Sequence, residues 1–132
     1  MALSDWLFSG VLARYPNLRV CFAEGQIGWI PYVAERADAL WSKTVWAGDR
    51  PRLPEPPSHY LRQVYGCFYD DPAGLALRES IGVDQIVFET DYPHQDSTWP
   101  KTLDTVATFA DQLSDTELEK ILRGNAATLL RL

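Results

Sequence analysis

The chain has 132 residues and a net charge of −6, a length that fits one domain. A hydrophobic content of 46% with 12% aromatic residues excludes a disordered chain. Lysine and arginine are scattered without a basic run, which argues against a nucleic-acid partner, and the acidic balance argues against anionic membrane surfaces.

The first element expected is a helix, with Leu7, Phe8, Val11, Leu12 and Tyr15 at helical spacing, Ser4 as its N-cap and Pro16-Asn17 as its end. Residues 18–23 form a short apolar run suited to a strand covered on both faces. After Glu24-Gly25-Gln26-Ile27-Gly28, the positions Trp29, Val33, Ala37, Leu40 and Trp41 mark a long amphipathic helix. Pro31 is tolerated there because it falls in the first turn. Trp29, Trp41 and Trp46 read as packing residues on that helix. Residues 48–58 carry Pro51, Pro54, Pro56 and Pro57 and read as a surface excursion, with His59 at the surface behind it.

A second strand is expected over residues 64–68, and Asp70-Asp71-Pro72 opens a helix running to about Ser80. Gly82 stands where a left-handed stop belongs, followed by the apolar Val83. Residues 85–88 make the third strand. A helix from about Thr98 toward Leu113 follows, then a capping box at Ser114 and Glu117, then a break at Gly124-Asn125 before a last short helix.

Strands that alternate with helices imply crossover connections and a parallel sheet. Three strands, apolar on both faces, are too few for a self-standing sheet and leave two poorly protected edges. The chain therefore reads as a slice of a larger α/β sheet. Polar residues follow each strand: Glu24 after the first, Asp70 and Asp71 after the second, Glu89, Asp91 and His94 after the third. In parallel α/β folds that end of the sheet carries the chemistry. Carboxylates at three strand ends suit a cation or acid/base site, although acidic residues also cap the helices that start there. The pair Gly25 and Gly28 beside a helix start could also cradle a phosphate.

Three stretches resemble the amidohydrolase-related family, which includes aminocarboxymuconate-semialdehyde and γ-resorcylate decarboxylases. Arg19-Val20-Cys21-Phe22-Ala23-Glu24-Gly25-Gln26-Ile27-Gly28-Trp29-Ile30-Pro31 is similar to its sixth-strand signature. Phe88-Glu89-Thr90-Asp91-Tyr92-Pro93-His94 resembles its eighth-strand motif, and Ile121-Leu122-Arg123-Gly124-Asn125-Ala126 its closing helix.

The resemblance implies that residues 1–132 are a C-terminal segment, about strands six to eight with their helices, of a TIM-like (β/α)8 barrel with parallel strands. It implies a metal-dependent hydrolase or decarboxylase acting on a small carboxylated or cyclic substrate. Asp91 matches the aspartate that binds a divalent metal, usually zinc, against the plainer role of a helix cap or ion-pair partner. His94 supports that ligand or faces the substrate, or is an ordinary loop histidine. Glu24 replaces the decarboxylases' sixth-strand histidine. It serves in proton transfer, or anchors its loop by accepting the N–H groups of residues 25–28. Glu89 offers substrate contacts.

The family's first strand supplies a His-x-His or Glu-x-His pair and its fifth another histidine, whereas this sequence has only His59 and His94. A zinc site here needs ligands from the missing barrel half, and the chain alone is expected to have little activity. The partner is then a complementary N-terminal barrel chain, or a second copy joined through the sheet edges. Two other readings stand: a non-catalytic self-associating α/β module, and a flavodoxin-like domain binding an anion at Gly25.

No apolar run approaches the roughly 18 residues of a membrane span. Met1-Ala2-Leu3-Ser4-Asp5 lacks the positive and apolar regions of a signal peptide. Cys21 and Cys67 read as buried reduced thiols rather than a disulfide. These observations lead to the expectation of a soluble cytoplasmic protein.

Overall fold

A computed structural model describes residues 2–43 and 53–132. Three parallel strands, β1 (Val20–Phe22), β2 (Val64–Phe68) and β3 (Ile86–Phe88), lie side by side in chain order. Val20 pairs with Val64 and Phe22 with Gly66, while Gly66 pairs with Ile86 and Phe68 with Phe88. The order never reverses, so the sheet lacks the switch point that a doubly wound fold uses to bind ligands. It has the sequential order of a barrel wall.

The sheet's two faces follow from the alternation along β2, all of whose residues are buried. Val64 and Phe68 join the main core, together with Leu3, Leu7, Leu12, Ile30 and Ile86. Tyr65 and Cys67 face the other way, beside Val87, and meet Ala126 and Leu129. Gly66 lies where the helix after β1 presses on the sheet. A Cβ there would stand 2.8 Å from both Ile27 Cγ2 and Ile30 Cδ1. Gly66→Ala is therefore expected to destabilise by about 1–3 kcal/mol through overpacking, measured by chemical denaturation.

The helices depart from the sequence expectations where short-range chemistry intervenes. The first helix is two: α1 (Ala2–Phe8) and α2 (Val11–Arg14). Gly10, at φ 73°, makes the corner, and the Ser9 hydroxyl accepts from the Val11 N–H at 3.1 Å. Ser4 lies inside α1 and is not its cap. Of the six residues expected in the first strand, three are paired. α3 (Ile30–Lys43) keeps Pro31 in its first turn and buries Ile30, Ala34 and Ala37, but leaves Leu40 exposed.

Trp46 and residues 48–52 of the proline-rich stretch lie outside the described residues. From Leu53 onward that stretch is not a bare surface excursion: Leu53 and Pro57 are buried, and a 3-10 helix, Pro57–Gln63, leads into β2. Gln63, itself buried, donates its amide to the carbonyls of Leu12, Tyr15 and Leu18, which fastens α2 to the start of β1. His59 is half-buried, its ring edge-on to Tyr60.

The helix after β2 divides at Leu77 into α4 (Pro72–Ala76) and α5 (Arg78–Ile81). Gly82 has the expected positive φ, 99°, but its ψ of 113° is not that of a left-handed cap. α6 (Thr102–Ala110) begins four residues later than expected, because residues 98–101 are taken up by turns. The capping box of α7 (Asp115–Glu119) is present: Ser114 N–H donates to Glu117 Oε2 at 2.9 Å, and the Glu117 N–H donates back to Ser114 Oγ.

No break follows at Gly124-Asn125. A π-helical turn, Lys120–Gly124, runs straight into α8 (Asn125–Leu130). Asn125 is buried and donates its amide to the carbonyls of Val83 and Ile86, so this residue pins the closing helix to the start of β3.

Glu117 also ion-pairs with Arg78 at 2.7 Å. That guanidinium, helped by the Ser114 donors, holds the Glu117 carboxyl down at about 2. The unfolded chain takes up this proton first, near a pH of about 4.3. The stabilisation is thus whole above that pH and disappears as the pH falls toward about 2. Melting curves of the native chain and Glu117→Gln should differ by a constant amount near neutrality and converge in strong acid.

Candidate metal centre at the carboxyl ends of the strands

Two loops build the rim. After β1 the chain turns through Glu24 and Gln26, at φ 62° and 56°, both in the left-handed region. Asp71 holds this loop in place. Its Oδ2 accepts from the N–H groups of Ile27 (2.8 Å) and Gly28 (2.7 Å), while its Oδ1 caps α4 by accepting from Gly74 at 2.8 Å. Asp71 is therefore a helix cap and a loop clamp together, and Glu24 is not the loop's anchor. The Gly28 N–H, half of the expected phosphate cradle at Gly25 and Gly28, already serves this carboxylate, as does that of Ile27. Trp29 adds an indole N–H bond to the Gly25 carbonyl at 2.7 Å.

After β3, the Glu89 N–H continues the ladder by donating to the Phe68 carbonyl at 2.9 Å. The Thr90 carbonyl accepts from the Thr98 N–H and the Ser97 hydroxyl, which closes residues 90–98 into a compact loop. Asp91 takes φ 55°. Among the described residues, three of the four non-glycine residues with positive φ, Glu24, Gln26 and Asp91, thus stand at this rim, and the fourth is Arg131. Such strain, about 1–3 kcal/mol per residue, concentrates at functional sites.

The rim brings together the three residues singled out from the sequence. One ligand atom each from Glu24, Asp91 and His94 lies within 4.8 Å of the others. His94 Nδ1 is 2.8 Å from Asp91 Oδ1 and 3.7 Å from Glu24 Oε2. The Asp91 side chain is 7% exposed and forms the floor, while those of Glu24 and His94 are more than half exposed. The hydrogen bond to Asp91, then the charges of Asp91 and Glu24, raise the His94 pKa above its ordinary value.

Glu89 closes the gap between the loops: its Oε1 accepts from the Glu24 N–H at 2.7 Å. Burial pushes its carboxyl upward. Just beyond β2, the Tyr69 hydroxyl donates to Asp96 Oδ2 at 2.7 Å, which raises the tyrosine and lowers the aspartate. Asp70 is exposed and takes no part in this cluster. Gln26, Tyr69 and Asp96 were not anticipated. Position offered a signal only for Tyr69, the first residue beyond β2.

The donor set fits a divalent cation. Two carboxylates and an imidazole suit borderline ions such as zinc, and also manganese. Two ligands about 2.1 Å from one ion stand about 3–4 Å apart, close to the separations here. The 2.8 Å Asp91–His94 contact would have to open by about half an ångström.

The Dictyostelium discoideum 2-amino-3-carboxymuconate-6-semialdehyde decarboxylase is 28% identical over 141 residues, covering all of this chain and 36% of that protein. An amidohydrolase from Mycobacterium avium subsp. paratuberculosis K-10 superposes with a TM-score of 0.82 at 26% identity, over 97% of this chain and 32% of its own. The 5-carboxyvanillate decarboxylase of Novosphingobium aromaticivorans, solved with bound manganese, gives 0.76 at 20% identity, over 99% and 38%. This chain thus spans about a third of the length of these relatives. They are TIM barrels, and the three parallel strands correspond to part of such a barrel, about strands six to eight. Nothing in these comparisons favours a non-catalytic module. A family model described as amidohydrolase matches residues 2–132, and the chain belongs to the amidohydrolase family.

Proposed function

We propose that this chain forms the metal-binding rim and proton-transfer edge of a metal-assisted hydrolase or decarboxylase for a small carboxylated or cyclic substrate. One observation carries the reading: Glu24, from the loop after β1, meets Asp91 and His94, from the loop after β3, within 4.8 Å at the carboxyl ends of parallel strands. Asp91, the buried member, is the metal ligand. Glu24 and His94 complete the donor set or stand beside it, and an exposed Glu24 carboxylate can take and return a proton at Oε2.

A bound divalent ion would supply Lewis acidity at this rim. Asp91 fixes His94 through Oδ1, Glu89 fixes the Glu24 backbone, and Asp71 fixes the loop that carries Glu24. Zinc is the ion implied by the family resemblance, and manganese is the ion bound in solved relatives.

Residues 1–132 act in this reading as one partial barrel unit. Among the described residues, β1 and β3 are each paired on one side only. Those edges would accept the remaining barrel strands, from a complementary segment or a second copy, and full activity requires them. No helix of the described residues is long and apolar enough to cross a membrane. The two unbonded cysteines favour a reducing, cytoplasmic setting.

Titrating Mn²⁺ into the metal-free chain, with the unbound ion followed by electron paramagnetic resonance, tests the assignment. Glu24→Gln and His94→Gln should each weaken binding about tenfold or more. Unchanged binding in both variants would count against this rim as the metal site.

A further inference from the structure

At the end of the sheet opposite the rim, three arginines from separate parts of the chain gather around one cavity. Arg19 stands one residue before β1, Arg62 two residues before β2, and Arg131 directly after α8. All three are exposed and line a cavity of about 370 Å³, together with Asn17 and Tyr65. Among the described residues no aspartate or glutamate lines it, and none of the three guanidiniums belongs to an ion pair. In a chain of net charge −6, this is a local concentration of positive charge.

The donors around the cavity are largely unused. Arg19 donates one N–H to the Thr128 carbonyl, which holds its guanidinium between β1 and α8 and leaves its other N–H groups free. The Arg62 and Arg131 side chains have no acceptor among the described residues. Tyr65 is only 4% exposed, yet its hydroxyl has no partner among them either. Buried tyrosine hydroxyls ordinarily find one, so this hydroxyl points to a ligand.

Size and charge select that ligand. Small-molecule cavities measure about 300–1,000 Å³, so this one holds a small molecule and not a polymer. Guanidinium forks match the paired oxygens of carboxylates and phosphates. We propose that Arg19, Arg62, Arg131 and the Tyr65 hydroxyl bind a small oxyanion with two or more negative charges, a phosphate ester or a polycarboxylate. The site uses none of the rim residues and is independent of metal binding there. A ligand in it ties the start of β1 and the approach to β2 to the end of α8, and so stabilises the fold by mass action.

Isothermal titration calorimetry of pyrophosphate, and separately of citrate, into the metal-free chain at low ionic strength tests the site. At least one should bind with one equivalent, and more weakly as sodium chloride is raised. The tighter of the two tells whether the site prefers phosphate or carboxylate groups. Arg62→Gln and Arg131→Gln should each weaken binding about tenfold or more, and Arg131→Lys less than Arg131→Gln. Both positions are exposed, and circular dichroism would verify that the variants fold. His94→Gln, at the rim, should bind as the native chain does. Failure of both anions to bind below about 1 mM overturns the site. So does native-like binding in both glutamine variants, or loss of binding in His94→Gln, which would put the anion at the rim.

Discussion

Replacing Asp91 by asparagine is expected to weaken Mn²⁺ binding about 100-fold or more, with the melting temperature almost unchanged. Asparagine keeps the shape of the side chain and tolerates the left-handed backbone found there, φ 55°. It also keeps an oxygen that can accept from His94 Nδ1, now 2.8 Å from Asp91 Oδ1. What it removes is the negative charge of the best-shielded carboxylate in the cluster. Loss of groups that merely orient ligands costs about 10–100-fold in affinity, so loss of a ligand's charge should reach or exceed that range. Mn²⁺ titration paired with thermal melting separates the two effects. Affinity within about twofold of the native chain would contradict the assigned role.

The largest expected loss of stability is at Asp71. Its carboxylate accepts three backbone N–H bonds, from Ile27, Gly28 and Gly74, and joins the loop after β1 to the start of α4. Hydrogen bonds to a charged acceptor contribute about 1.5–3 kcal/mol each, and neighbouring losses are not additive. Asp71→Ala should therefore destabilise by about 3–5 kcal/mol, a large part of the 5–15 kcal/mol typical of whole proteins. Asp71→Asn, which keeps one acceptor oxygen, should fall between the two. Urea denaturation at constant m-value measures both variants. A loss below about 1 kcal/mol for Asp71→Ala would mean that water replaces the carboxylate without difficulty. The same variant should weaken Mn²⁺ binding, because Glu24 rides on the loop that Asp71 holds.

These two aspartates also mark what was legible in the sequence. Asp91 could be found because its position, three residues beyond an apolar strand, repeats a motif. Glu24 follows the first strand and His94 the third, and their convergence with Asp91 follows once β1, β2 and β3 run parallel. Asp71 was visible only as a cap. Its bonds to Ile27 and Gly28 cross 44 and 43 residues, and no local pattern encodes them.

Secondary structure shows the same divide. The capping box at Ser114 is a contact over three residues and is legible in the sequence. The corner at Gly10 was local too, but the helical spacing of Leu7, Val11 and Leu12 obscured it. Gly124-Asn125 looked like a helix break because both residues disfavour helix interiors. Asn125 instead satisfies two carbonyls near β3, a tertiary demand that overrides its propensity.

The proposed rim site holds a divalent ion among Glu24, Asp91 and His94. Anomalous diffraction at the manganese edge, from crystals of the chain soaked in Mn²⁺, tests it most directly. The prediction is one strong peak within bonding distance of an Asp91 carboxylate oxygen and close to His94. A peak elsewhere, with none beside Asp91, would contradict it.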